Sequence, residues 1–554
     1  MFSASLIAAM YQSLDDGRES ATPLETTHTN FFSVAMQMRD LLRRFPDEKS
    51  TLPIVGYSKL LSGENTWFPE INTDSFDDEP LRFFWGRVPL TELIEYLAEF
   101  HGRSAEEELF DLGTPLRENA TGSSFDATCA NLLAKTATAS TTSRIAMVDS
   151  GESKFGDVPN DYNGKLRHAI TQDVILSDHA EKILSVMLER LDGYGVLAET
   201  EVSCALVKKP VKPIGRACFR HANAVEMLDA LKALRAVISN DTIPTAINMS
   251  LGTHVGPHNG DSPLEAYATR IGNLRANRFF HASAGNDGLS GVAAVRSVTA
   301  NQREFFQISV NQGCTDILVE FWWHDPKPSS VSLEATVLAG DSQRPLTKLW
   351  IDSKTAGRTL KSAPQGFGRT LVKSLFHSQC RNDMSCIAFA LSAPNASPLT
   401  PVDVQFAIDA SDDIVVNGWI VVCGGARAMF VEGGSSATIT VPASAPGILS
   451  VAGLDNQGRP WAQSSRGPAI VYDRSPGQRA PTAPSMAHRA DWHGEYGTSF
   501  ASARACGDTV NVVQDPQRLR NCGTILDLIC ESYQLARTQP QAWSVRTGYI
   551  AVKN

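Results

Sequence analysis

Apolar positions fall at helical spacing over Phe31–Phe45 and again over Thr91–Phe100, just past Pro89, with a strand-like run at Leu81–Trp85 between them. Residues 1–118 therefore predict a mixed α+β module. Residues 119–143 are rich in Thr, Ser and Ala with one short apolar patch, the pattern of a linker. The style then changes. Short apolar strands at Arg144–Val148, Val202–Val207, Thr245–Ser250 and Phe279–Ala284 alternate with helical patterns at Asp178–Leu191 and Ala222–Ile238. Strand alternating with helix predicts an α/β unit with a parallel sheet covered on both faces.

Helical periodicity disappears between about 292 and 440. Alternating runs replace it at Glu304–Val310, Asp316–Trp323, Val331–Val337, Cys386–Ser392, Val402–Asp409, Ile414–Val422 and Ala437–Val441, punctuated by Gly, Pro, Asn and Asp. This predicts an antiparallel β-sandwich or jelly roll. The α/β style resumes after Val441, with a strand at Gly447–Ala452 and a helix from Ser499. The sandwich is thus an insertion: 144–291 form the first part of the α/β domain, 292–440 the insert and 441–554 the second part.

The 554 residues are 42% hydrophobic and 20% charged, an ordinary globular balance that predicts several domains. No apolar run approaches the ~20 residues of a membrane helix, and acids arrive by Asp15 with no basic stretch ahead of them. A cytoplasmic protein without a membrane partner is the expectation. Charge is uneven: residues 1–140 hold 22 acidic against 11 basic side chains, a net of −11, so the remainder of a chain at −10 is nearly neutral. No clustered basic face suggests nucleic acid. The acidic N-terminal module is expected to be a separate unit with its own docking surface or regulatory protein partner. The ten cysteines show no C-x-x-C spacing and predict buried thiols, with Cys380 and Cys386 close enough in sequence for a local disulfide in an exported protein.

Four short segments carry residue types that peptide hydrolysis needs. Asp149 ends a buried-looking strand in IAMVDSG, and His179 opens a helix in SDHAEKILSVM. Asn286 lies in a turn after a strand in HASAGNDG, and Ser499 begins a helix in YGTSFASARACG after Gly497. Backbone N–H groups at that helix start could join Asn286 as donors to an oxyanion.

In this order the segments resemble those of the subtilases, the subtilisin-like serine peptidases. INMSLG (247–252), ILSVAGLDNQGRPWAQSSRGP (448–468) and RTGYIAV (546–552) extend the resemblance over about 144–290 and 441–554. It implies a subtilisin-like parallel sheet flanked by helices and a protein or peptide substrate. Ser499 would be the nucleophile, His179 the base and then the acid, Asp149 its orienter and Asn286 an oxyanion donor. Ser250, Leu251 and Gly252 would pair with the peptide as a strand, and Ala282, Ser283, Ala284 and Gly285 would wall the pocket before the scissile bond. The resemblance implies no cofactor; subtilases often hold structural calcium, for which the sequence offers no ligand set. NGWIVVCGG…ATITVPAS resembles the end of a jelly roll inserted here in some bacterial subtilases, including spore-germination proteases. The departures are Ala180, Glu181 and Lys182 after the histidine, where the family has small polar residues and a glycine, and Ala503 in place of a proline.

Other readings stay open. A catalytically silent subtilase-fold scaffold, or an acyl-enzyme peptide ligase or cyclase, would use the same residues. His254 and His258, with Asp261 nearby, invite a metal, but Gly252, Gly256 and Pro257 put them in a loop rather than on one helical face. The N-terminal module is either a propeptide-like inhibitor cut within 119–143 or a permanent docking domain.

Overall fold

The computed structural model describes residues 3–14, 24–28, 30–44, 50–59, 68, 71–76, 81–99, 108–112, 117–118, 128–136, 141–153, 174–208, 224–239, 242–273, 277–310, 316–325, 330–339, 343–352, 355–362, 371–380, 384–392, 402–423, 428–434, 436–467, 484–515, 517, 543–544 and 548–550. Its centre is a nine-stranded, mostly parallel sheet. Parallel pairings run from Thr200–Lys208 to Ser143–Ser153, then to Thr245–Met249, Arg278–Ser283, Leu449–Leu454, Met486–Arg489 and Gly548–Ile550. The inner strands are buried on both faces, with every residue of Thr245–Met249 and Arg278–Ser283 buried, because helices cover both sides. Helices Asp178–Tyr194 and Thr498–Val513 pack on one side and Ala224–Ile238 and Pro263–Gly272 on the other.

Between strands Arg278–Ser283 and Leu449–Leu454 the chain leaves this sheet and builds two antiparallel ones. A five-stranded sheet runs Pro345–Asp352, Val331–Ala339, Val402–Ala410, Arg303–Val310 and Ala428–Phe430. A seven-stranded sheet contains Gly357–Ser362, Leu371–Cys380, Met384–Ser392, Asp316–His324, Ile414–Cys423 and Ala293–Val298. Phe306, Phe321, Phe389, Phe406 and Phe430 fill the space between them, with the Phe321 and Phe406 rings 4.7 Å apart. Ala437–Val441, expected as a last strand, forms none; Val441 makes only an isolated bridge to Thr253.

The seventh strand comes from elsewhere. Leu24–His28 pairs antiparallel with Gly357–Ser362 at the edge of the insert's sheet. Helix Ala4–Leu14, ahead of it, is buried along its whole length, packed with Leu318, Trp322, Phe376, Ala388 and Trp419 of that sheet. The chain start is thus shared with the insert, where the sequence suggested a separate unit. A strand edge and an apolar sheet face both need covering, and this segment covers both. The rest of the N-terminal module is a four-stranded antiparallel sheet, ordered Asn72–Ser75, Leu81–Pro89, Thr51–Lys59 and Glu108–Leu112, with helices Phe31–Arg44 and Leu90–Glu99. Within the expected linker, Thr128–Leu133 is a helix whose Cys129 and Leu133 enter the core around helix Asp178–Tyr194. Cys129, Cys204, Cys386 and Cys506 are buried, as expected of them, and the Cys380 side chain, half of the suggested local pair, lies outside the described residues. Among the described residues, no helix is long and apolar enough to cross a membrane.

Candidate active site

The parallel strands end on one edge of the sheet, and the chemistry-bearing residues collect there, as expected for an open α/β sheet. Asp149 lies near the end of Ser143–Ser153 and is fully buried. Ser177 caps helix Asp178–Tyr194, accepting from the Ala180 N–H at 3.1 Å, so His179 stands in the first turn. The Ser177 and Ser150 hydroxyls are 2.6 Å apart, joining the cap to the strand that carries Asp149. His179 Nδ1 is 2.7 Å from Asp149 Oδ1, and His179 Nε2 is 3.2 Å from Ser499 Oγ. A carboxylate only accepts, so Nδ1 carries the proton and Nε2 is left to accept from the serine hydroxyl. Asp149 Oδ1 also accepts from the Ser150 N–H at 2.6 Å, which fixes the carboxylate.

Ser499 is the second residue of helix Thr498–Val513, whose preceding Gly497 is extended. The first N–H groups of a helix have no partner within it, so this end is a natural donor site for an anion. Asn286 meets it from the turn after Arg278–Ser283. Its Oδ1 accepts from the Thr498 N–H and the Thr498 hydroxyl, both at 3.0 Å, leaving the NH2 as the end that can donate. Gly285 has φ +109, and a Cβ there would lie 2.7 Å from Ser465 Oγ and 2.8 Å from Thr440 Cγ2, so the turn closes only around glycine. The Ser465 N–H donates to Gly285 O at 2.9 Å. Ala282, Ser283 and Ala284 are buried beside this turn.

Ser250 follows Thr245–Met249, with its carbonyl 3.4 Å from Ser499 Oγ. Asn248 ties that segment to the helix of Ser499, donating to Ser250 Oγ at 3.0 Å and accepting from Ser502 Oγ at 2.6 Å. The next residues, Leu251 and Gly252, already have a partner strand: Leu251 lies opposite Glu118 and Gly252 opposite Arg117, antiparallel. The N-terminal module reaches this edge from its four-stranded sheet, which lies on helices Ala224–Ile238 and Pro263–Gly272. Trp85 Nε1 donates to Asp229 at 2.6 Å, the Tyr267 hydroxyl donates to Asp74 at 2.6 Å, and Arg235 pairs with Asp74 at 2.5 Å. The Phe83 and Tyr267 rings meet edge-on at 5.2 Å.

All four residues expected to carry the chemistry converge, as do the substrate-edge and pocket-wall segments. Sequence reasoning missed Ser177, Thr498 and Ser502; the only local signal was a serine ahead of the Asp-His helix start. The departures after His179 are accommodated: Lys182, one turn on and buried, pairs with Glu495 at 2.8 Å, in the hairpin leading to Ser499. Of the loop residues weighed as metal ligands, Asp261 accepts from Asn259 at 2.6 Å and His254 bonds Asp287 at 2.9 Å. Among the described residues no group of three or more His, Cys, Asp or Glu could hold a metal ion.

The chain is similar to a solved structure, the CspB protease of Clostridium perfringens, with a TM-score of 0.53 and 17% identity over 74% of this chain and 93% of that one. That likeness shows the fold. No protein-family model and no curated protein matches the chain. The fold is therefore shared with that protease.

Proposed function

We propose that this protein is a serine endopeptidase that works through an acyl-enzyme and is held in check by its own N-terminal module. The observation that carries the reading is the buried chain Asp149–His179–Ser499, at 2.7 and 3.2 Å, beside an amide held by its oxygen end. Ser499 Oγ attacks the carbonyl carbon while His179 Nε2 takes its proton; the oxyanion is met by the Asn286 NH2 and the Ser499 N–H. His179 then gives that proton to the departing amine. Water, deprotonated by the same nitrogen, releases the acid and frees Ser499. Asp149 stays ionised and steadies the imidazolium formed in each half.

Substrate would add as a strand to Leu251–Gly252. Because Glu118 and Arg117 hold that edge, a protein substrate cannot pair there until the segment leaves, which supports the inhibitor reading of the module over a docking role remote from the cleft. The test is a fluorophosphonate probe, which reacts only with an activated serine, together with sequencing of the mature N-terminus. Labelling lost in Ser499→Ala, with a new terminus inside 119–143, is expected. A wild-type chain that never labels, whether intact or cut, would return the protein to the scaffold reading.

A further inference from the structure

The loop after Leu251–Gly252 carries the two histidines that the chemistry above does not use. Both are buried, His254 at 1% and His258 at 0% exposure. Their rings stack at 5.6 Å and 17°, and His258 stacks in turn on Trp419 of the insert at 4.2 Å and 9°. His258 Nδ1 lies 2.7 Å from the Ile439 carbonyl, so that nitrogen holds the proton. Burial first, and the neighbouring His254 second, push the His258 pKa down to about 3, so the middle ring of the stack is neutral. Between the histidines, the Gly256 N–H donates to Glu320 Oε2 at 2.9 Å, and the same oxygen accepts from Trp322 Nε1 at 2.8 Å. The insert thus grips the loop at two points.

The far end of the stack touches the oxyanion turn. His254 Nε2 is 2.9 Å from Asp287 Oδ2, and Asp287 directly follows Asn286. Next to this bond the Asp287 N–H donates to Ser465 Oγ at 3.1 Å, and the Gly288 N–H to Gln463 O at 2.9 Å. An imidazole N–H on a carboxylate is a charge-assisted bond, and here one partner is sealed from water. Oxyanion stabilisation works only if the donor is already in place when the charge develops.

We propose that His254 is a positioning residue, whose bond to Asp287 fixes the turn bearing Asn286 and is itself held in place by the insert through the His258–Trp419 stack. The insert then buttresses the oxyanion hole. This rests on the reading of Ser499 as nucleophile and Asn286 as oxyanion donor. It concerns residues that touch neither substrate nor nucleophile, so their effect must appear in rate and not in substrate binding.

The test uses the full chain and the rate at which a fluorophosphonate labels Ser499, because phosphonylation also places negative charge in the oxyanion hole. His254→Ala should slow labelling about tenfold or more, the order that a misplacement approaching 1 Å produces. His254→Gln, which keeps an N–H at similar reach, should restore most of the rate. Thermal midpoints of both variants are recorded alongside, since a purely structural role would move midpoints without this rescue. Should His254→Ala fail to fold, Asp287→Ala removes the same bond from its less buried partner (15% exposed). Wild-type rates in these variants, or His254→Gln as slow as His254→Ala, overturn the proposal while leaving the nucleophile reading intact. A wild-type chain that does not label overturns both.

Discussion

Asp508 ties together the two helices that present the candidate base and nucleophile. It sits buried on the helix of Ser499 and accepts from Arg190 at 2.5 and 3.2 Å and from the Tyr194 hydroxyl at 2.7 Å, both on the helix of His179. His488 Nε2 is 3.2 Å away on a sheet strand, while its Nδ1 accepts the Arg489 N–H at 2.7 Å. Burial holds His488 below its ordinary pKa. Burial acts to raise the Asp508 carboxyl too, but the bonds from His488 and Arg190 outweigh it and bring it from 3.8 down to about 2. Such a shift corresponds to about 2 kcal/mol. Removing one partner of a sealed ion pair costs about 3–5 kcal/mol. Arg190, at 22% exposure, can turn to water when its partner is lost, which favours the smaller figure.

Asp508→Asn removes the charge at nearly constant volume, and should cost about 2 kcal/mol at pH 7. The sign follows from the depressed native pKa: the stabilisation is complete above the unfolded value of 3.8 and is lost as pH falls toward about 2. Urea unfolding followed by circular dichroism, for wild type and variant from pH 7 to pH 2, measures the gap. It should be present at neutral pH and close on acidification. A gap that is absent at pH 7, or that stays constant down to pH 2, would falsify the account of Asp508 as a charged clamp.

Asn286→Ala should lower kcat by about two to three orders of magnitude with KM little changed, the effect of deleting one oxyanion donor; Thr498→Val, which loses the hydroxyl bond but keeps the Thr498 N–H, should cost less, and equal losses in peptide-hydrolysis assays would contradict the geometry. Glu265 closes a capping box with Ser262 on helix Pro263–Gly272 and accepts from Ser444 at 2.5 Å. Burial raises its pKa from 4.5 to about 7 against those hydrogen bonds. A raised native pKa means stability is greatest below the unfolded value and declines as pH rises through about 7, by up to ~3 kcal/mol. Glu265→Gln should flatten that slope in a pH series of thermal midpoints, and an unaltered slope would assign it to other groups.

Much of the α/β unit was legible because its signals are local. Asp149, His179, Asn286 and Ser499 each sit where a short apolar run stops or a helix starts, and such boundaries are written in a few consecutive residues. The insert was legible as a class, since period-two alternation marks half-buried strands, but its individual strands were less so: Pro345–Asp352, Gly357–Ser362 and Leu371–Cys380 went unforeseen. Helix Ala4–Leu14 left no periodic trace, because a helix buried on every side shows no polar face. Leu24–His28 is polar enough to pass for a loop, and is a strand only because Gly357–Ser362 offers it an open edge.

The sequence by itself determined which groups are available for chemistry, the order in which they occur, and that a β-rich segment interrupts the α/β unit. Tertiary structure alone decided that the chain start completes the insert's sheet, that Arg117–Glu118 lies along Leu251–Gly252, and that the two loop histidines meet Asp287 and Trp419. The division has a physical cause. Turns, caps and apolar periods depend on neighbours a few residues away, whereas edge pairing and ring stacking depend on which distant surfaces remain uncovered once the sheets have formed.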